Sequence, residues 1–342
     1  MLISLRHLKI LTSCLLGITL IVIALGGLIR IYDAGESCPD WPTCFGTWGF
    51  DVSEEEQEEW WNENPDEIDS RGSGHRYSKF QIFTEWIHRF LAGFILGPLV
   101  LTNWYLIRRQ KDVSPSLRLI STVNVILIVW QGAIGWLTVK MDNLHWSVGI
   151  HLSSALAFTM SLIWLWLKIS HEQGSAPRWI VFENESSNRW LKWIGFLSIG
   201  SFFSIFSGTF VSTTPGANFG CGVDGMPDSW PLCGGKIVDS IEDWVAQSQM
   251  IHRWFVGTML FVFISVSYLV KNEDRVLRNW IWSSTALFSA NTLIGATYVL
   301  SWDMEEGFFE YLSLVHLMLA SITFLTIATA WLGCVTARKE GY

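Results

Sequence analysis

Eight apolar stretches divide this chain, near residues 9–31, 81–106, 116–139, 145–168, 190–212, 248–270, 277–300 and 311–335. Each is about 20 residues long, the length a helix needs to cross a hydrocarbon core of ~30 Å. The first is longer than the apolar part of a secretion signal and no small-residue cleavage site follows it, so it is read as a retained helix. Polar segments between the stretches alternate in charge. Arg6 and Lys9, Arg108, Arg109 and Lys111, Lys168 and Arg178, Lys271, Arg275 and Arg278, and Arg338 and Lys339 all fall on one side. The positive-inside rule puts that side, and both termini, in the cytoplasm. The other side receives 32–80, the turn near Asp142, 213–247 and Asp303 to Glu306. The expected fold is an all-α membrane protein of eight transmembrane helices.

Composition agrees: of 342 residues, 50% are hydrophobic and 21 are Trp, too apolar for an ordinary soluble domain. The net charge of −8 is concentrated in Asp51 to Asp69, where the run Glu54-Glu55-Glu56-Gln57-Glu58-Glu59-Trp60-Trp61 reads as a solvated, partly disordered loop. A docking surface for a basic partner is the lesser reading of that run. Nucleic-acid binding is excluded, since there is no basic stripe and no recognised motif.

A repeat organises the spans. Glu85-Trp86-Ile87-His88-Arg89 recurs as Gln249-Met250-Ile251-His252-Arg253, and each copy is followed by a second histidine, His151 and His316. The first pair repeats after 164 positions (252 − 88) and the second after 165 (316 − 151). Two pseudo-symmetric four-helix halves follow, residues 1–170 and 190–342, joined by a polar cytoplasmic linker at 171–189. All four histidines lie within about two turns of the predicted start of a span running inward, ~10 Å at the helical rise. Independent structural histidines have no reason to share that depth. Ionisable side chains are costly within a membrane and mark functional sites there.

Two imidazoles at equal depth on facing helices suit axial ligation of a haem iron, with small residues such as Gly93, Gly97, Gly149, Ala155 and Ala320 making room for the ring. A small-residue helix contact is the bland alternative for the glycines. A closed zinc site is the weaker one for the histidines, because no Cys or second carboxylate accompanies them. His7, His75, His145 and His171 read as solvated or interfacial. Glu85 stands three residues before His88, where the second copy has Gln249. A carboxylate can take a proton or steady positive charge and an amide cannot do so well, so the halves are expected to differ in role; pairing with Arg89 is the structural alternative. Arg89 and Arg253 either meet haem propionates or anchor to lipid head groups. Cys38 with Cys44, and Cys221 with Cys233, follow the first and fifth spans on the oxidising side, as two local disulfides or as redox-active pairs.

Taken together, Glu85 to Arg89, Gln131-Gly132-Ala133-Ile134-Gly135-Trp136-Leu137-Thr138-Val139, His151, Met250 to Arg253, His316 and the paired outer cysteines resemble the haem A synthase family, of the bacterial type, over nearly the whole chain. The resemblance implies a haem O substrate site at His88 and His151, a haem b cofactor between His252 and His316, and Glu85 as the functional carboxylate. It implies oxidation of the C8 methyl of haem O to a formyl group by successive hydroxylation and loss of water. It also implies work beside haem O synthase and the cytochrome oxidase assembly proteins in the bacterial plasma membrane, with the haem sites near the outer face, and leaves the electron acceptor and any homo-oligomer open. Two departures stand out: the second cysteine pair is 12 positions apart against 6 in the first, and Asn291 stands where the first half has Gln131. The rival functions are a dihaem b-type electron carrier or quinone oxidoreductase, which would need its haems arranged to pass electrons onward, and a transporter built of repeats.

Overall fold

The structure, a computed structural model, describes residues 4–67, 69–237 and 243–340. Residues 238–242, which fall in the outer segment expected at 213–247, lie outside the described residues. Those described form helices and loops with three isolated β-bridges and no named strand. The chain separates into two compact units, Met1–Trp166 and Leu167–Tyr342.

In the first unit, α1 (Leu5–Ile31) packs on α3 (Lys79–Phe90) and α4 (Gly97–Arg109), and α4 packs on α5 (Pro115–Lys140). Phe158 and Leu162 of α6 (His145–Glu172) share an apolar core with Leu15, Leu96 and Val100. Between α3 and α4 the helix widens into a π segment, Leu91–Leu96, closed by a bond from Gly97 N–H to Ala92 O. Pro98 is the reason. It has no N–H for the carbonyl of Phe94 and its ring collides with that carbonyl in a regular helix; one extra residue in the turn relieves both faults. In the second unit α7 (Asn184–Thr213), α8 (Trp244–Leu269), α9 (Arg275–Val299) and α10 (Glu310–Glu340) pack in a closed cycle, α7 on α8, α8 on α9, α9 on α10 and α10 on α7. The copy of the motif on α8 runs without a π segment.

Among the described residues, seven helical segments are long and apolar enough to cross a membrane: α1, the α3–α4 segment, α5, α6, α7, α8 with the turn after it, and α10. The expected span at 277–300 is helical as α9 but is not among the seven. Ser283, Ser284, Thr285, Ser289, Asn291, Thr292 and Thr297 dilute its apolar run. Several of these hydroxyls bond back to the carbonyl one turn earlier, as Ser284 does to Trp280 O at 2.8 Å and Thr292 to Phe288 O at 2.9 Å.

Two sequence expectations are corrected. The acidic run is not a disordered loop: Glu54–Glu63 is a helix, α2, opened by a capping box between Ser53 and Glu56. Its glutamates face water while Gln57 and Trp61, four apart on one face, are buried. Trp61 joins a core with Cys38, Cys44, Phe45, Val52, Tyr77 and Ile82. Nor is 171–189 a plain linker, since Arg178–Ile180 forms a 3₁₀ turn, Ile180 and Phe182 are buried, and α7 begins at Asn184. His75, read as solvated or interfacial, is half-buried and packs edge-on against the Tyr77 ring at 4.8 Å.

Gln57 stitches the outer segment together. Its Nε2 donates to Tyr77 O at 3.0 Å and its Oε1 accepts from Tyr77 N–H at 2.9 Å. The Tyr77 hydroxyl donates to Asp69 at 2.6 Å, and burial, with that carboxylate beside it, pushes the phenol far above its ordinary range, so it remains a donor. Gln57→Leu leaves two buried backbone groups without partners, a cost of about 1–3 kcal/mol for each. Hydrogen exchange is expected to accelerate across residues 53–77 in this variant while the spans keep their protection; unchanged exchange there would contradict the role given to Gln57.

Candidate functional site

Both histidine pairs fall within single units, His88 and His151 in the first, His252 and His316 in the second. Each histidine rests on a glycine of the helix before its own. A Cβ added at Gly26 on α1 lies 3.6 Å from His88 Cε1, at Gly135 on α5 3.2 Å from His151, at Gly208 on α7 3.1 Å from His252, and at Gly295 on α9 2.7 Å from His316. At Gly135, Gly208 and Gly295 only a hydrogen lets the ring lie so close to the neighbouring backbone, while at Gly26 a methyl would meet His88 at ordinary contact distance.

The glycine turn also supplies a hydrogen-bond partner. His88 Nδ1 lies 3.1 Å from Val22 O, four residues before Gly26, and His316 Nδ1 lies 3.0 Å from Asn291 O, four residues before Gly295. A carbonyl only accepts, so Nδ1 carries the proton and Nε2 presents its lone pair. At His252 the partner is Ser207 Oγ at 2.9 Å, whose own proton goes to Ser204 O at 3.0 Å, so it too accepts from Nδ1. His151 is the exception, its Nδ1 buried with no partner among the described residues. Gln131, four residues before Gly135, instead holds Ser154 on α6 at 2.5 Å through its side chain.

The His252 and His316 rings lie 6.4 Å apart between centres at 88°. A metal bonded to one nitrogen of each at ~2 Å fits that separation. All four rings are half-buried, and no group of three or more His, Cys, Asp or Glu able to hold a bare metal ion occurs among the described residues. The donor set therefore suits a flat iron macrocycle taking one imidazole on each face, and it gives no support to zinc.

Above each pair sits a cap built to one plan. Cys38 and Cys44 form a disulfide, as do Cys221 and Cys233. Arg89 donates to Asp40 O at 2.5 Å and Thr43 O at 2.9 Å, the carbonyls four and one residues before Cys44. Arg253 donates to Ser229 O and Leu232 O, both at 2.8 Å, the same two places before Cys233. Arg89 also bonds Cys38 O at 2.6 Å and pairs with Glu85 at 2.5 Å, and Arg253 bonds the Gln249 side chain. These guanidinium groups, singled out for propionates or lipid, bind the disulfide loops.

Glu85, only 4% exposed, accepts from Arg89 on one oxygen and from Cys38 N–H at 2.9 Å and Ser37 Oγ at 3.0 Å on the other. Its counterpart Gln249, 3% exposed, accepts from Arg253 and donates to Ala217 O. The structure thus joins Glu85, Arg89 and the first disulfide into one network beside His88, and Gln249, Arg253 and the second disulfide into another beside His252.

Sequence reasoning missed the four glycines that seat the rings. Gly93 and Gly97, proposed to make room, face open space and their own helix backbone respectively. The signal was there: His88 and His316 each have, on an earlier helix, a glycine four positions after the carbonyl that takes Nδ1, and for His252 the serine that takes it directly precedes the glycine.

Residues 9–328 match the family COX15-CtaA, described as cytochrome oxidase assembly protein. A haem A synthase of Shewanella oneidensis is 34% identical over 168 residues, 49% of this chain and 46% of that protein. One from Novosphingobium aromaticivorans is 25% identical, covering 91% of this chain and 89% of its own, and one from Exiguobacterium sibiricum is 24% identical, covering 98% of each. The chain belongs to this cytochrome oxidase assembly family, the family of the haem A synthases.

Proposed function

We propose that this multi-pass membrane protein is a haem A synthase, an oxidoreductase that turns the C8 methyl of haem O into a formyl group by two hydroxylations and loss of water. The observation that carries this is the pair of histidine seats, each with its rings packed against glycines, in which His88, His252 and His316 engage Nδ1 and leave Nε2 as the free nitrogen. Haem O occupies the first unit between His88 and His151, and haem b the second between His252 and His316. Haem b, when bound, supplies a one-electron redox centre.

The residues divide the remaining work. The histidines orient each ring. Glu85, the carboxylate that the second unit lacks, takes a proton or steadies positive charge near the reacting methyl. Arg89 holds Glu85 and the loop over the site, keeping water away, and the two disulfides fix the caps. In the bilayer α9 completes eight spans as two four-helix halves, with both termini in the cytoplasm and the haem sites near the outer face. Haem O synthase supplies the substrate, and cytochrome oxidase assembly proteins receive the product. The dihaem carrier and the transporter are not favoured by the family match.

Pigments extracted from the purified protein and identified by chromatography and mass test the assignment. Haem b together with haem O, haem A or the hydroxylated intermediate is expected; haem b alone would point to an electron carrier. Glu85→Gln copies the side chain that the second unit tolerates beside the same arginine, and avoids stranding Arg89, a loss of about 3–5 kcal/mol when one partner of a buried pair is simply removed. This variant is expected to keep its haem and lose conversion by about a hundredfold or more, the scale of acid–base catalysis; conversion at the normal rate would remove Glu85 from the chemistry.

The glycine seats give a graded test. Gly295→Ala places a methyl against His316 at 2.7 Å, whereas Gly26→Ala meets His88 at an ordinary 3.6 Å. Haem b retention is expected to fall about tenfold in the first, as for other changes around metal ligands, and haem O binding to stay near wild type in the second. Haem per polypeptide, measured by pyridine haemochrome, reads both.

A further inference from the structure

Ser37 is fully buried, and its single hydroxyl proton has three acceptors in reach: Glu85 Oε2 at 3.0 Å, Ala34 O at 2.9 Å and Gln81 O at 3.1 Å. The second unit shows what a different side chain does at the same junction. Counted from the first cysteine of each disulfide, Ala34 and Ala217 stand four residues before, and Ser37 and Gly220 one before. In the second unit the Gln249 amide donates straight to Ala217 O. Position 220 carries no side chain, and a Cβ there would come within 2.7 Å of Val245 O. Both backbones otherwise agree, since Cys44 Sγ sits 3.7 Å from Ser37 O and Cys233 Sγ 3.8 Å from Gly220 O.

An amide brings its own N–H to that carbonyl, and a carboxylate has none to bring. Exchanging Gln for Glu alone would put two acceptors, a carboxylate oxygen and a carbonyl oxygen, at one buried junction with no proton between them, which is costly. A hydroxyl placed there restores the missing donor. Glycine accompanies the amide in one unit, and serine accompanies the acid in the other.

We propose that Ser37 is a positioning residue for Glu85, its hydroxyl supplying the donor that the carboxylate lacks and, with Cys38 N–H, fixing Oε2 so that the acid is held in one orientation toward the substrate site. This rests on the reading of Glu85 as the reacting carboxylate. With Arg89 on Oε1 and two donors on Oε2, the group cannot turn about its last bond. Removing Ser37 leaves Oε2 held by Cys38 N–H alone, which loosens the grip on that oxygen.

The test uses the full-length protein in detergent or membranes with haem O, comparing Ser37→Ala, Ser37→Thr, Glu85→Gln and the Ser37→Ala/Glu85→Gln pair, each checked for haem b content as evidence of folding. Ser37→Ala is expected to lower kcat about tenfold with KM nearly unchanged, and to shift the Glu85 carboxylate band in the infrared spectrum, assigned by its loss in Glu85→Gln. Ser37→Thr, which keeps the hydroxyl, is expected to recover the band. In the Glu85→Gln background Ser37→Ala is expected to cost nothing further, because the two act as one unit. If the alanine variant loses haem b, Ser37→Gly, the residue of the second unit, takes its place in the cycle. Wild-type kcat with an unmoved band in the variant lacking the hydroxyl, or losses that multiply independently, would overturn the proposal. Full conversion by Glu85→Gln would instead overturn the underlying reading of Glu85, and the band shift would still report whether Ser37 holds the acid.

Discussion

A hydrogen bond from imidazole Nδ1 to a neighbouring helix decides which nitrogen three of the four histidines offer. His88 and His316 give that proton to backbone carbonyls and His252 gives it to a serine hydroxyl. At His316 the bond is short enough only because the facing residue one turn on, Gly295, has no Cβ to meet the ring. The helices that carry none of these four histidines, α1, α5, α7 and α9, are therefore as much a part of the candidate sites as the helices that do. That explains why α9 holds its place in the bundle although its hydroxyls and Asn291 leave it less apolar than its neighbours: it carries the seat of His316.

The two units share a scaffold and differ at a few positions. Arginine, disulfide and the spacing of accepted carbonyls are the same in both. The acid, the serine beside its cysteine and the π segment after its histidine are confined to the first. The duplicated frame thus carries a buried acid in one copy and a buried amide in the other, the asymmetry on which the proposed division of labour rests.

Much of this was legible in the sequence. Four histidines at two equal periods, the Glu85 and Gln249 contrast, and the cysteine pairs all carry chemistry in their residue type, and local spacing is enough to see them. The glycines were not legible, because a glycine in an apolar helix serves equally as a helix contact, and which one meets a ring depends on the register between helices. The loop contacts of Arg89 and Arg253 were hidden for a related reason: an arginine at a span end looks the same whether or not a folded loop awaits it. The acidic run misled by composition, since its many glutamates hid the i, i+4 spacing of Gln57 and Trp61 that buries one face of α2. Ser37 shows nothing until the two units are laid side by side.

The arginine cap carries a consequence for what those positions demand. Each guanidinium reaches two carbonyls three residues apart and, at the same time, a side chain one turn back on its own helix. A flat fork with five N–H groups can span such divergent targets, while a lysine concentrates the same positive charge at one rotating tip. Position 253, facing the neutral Gln249, thus asks for that shape, whereas position 89, facing the buried Glu85 carboxylate, asks for the shape and the positive charge together.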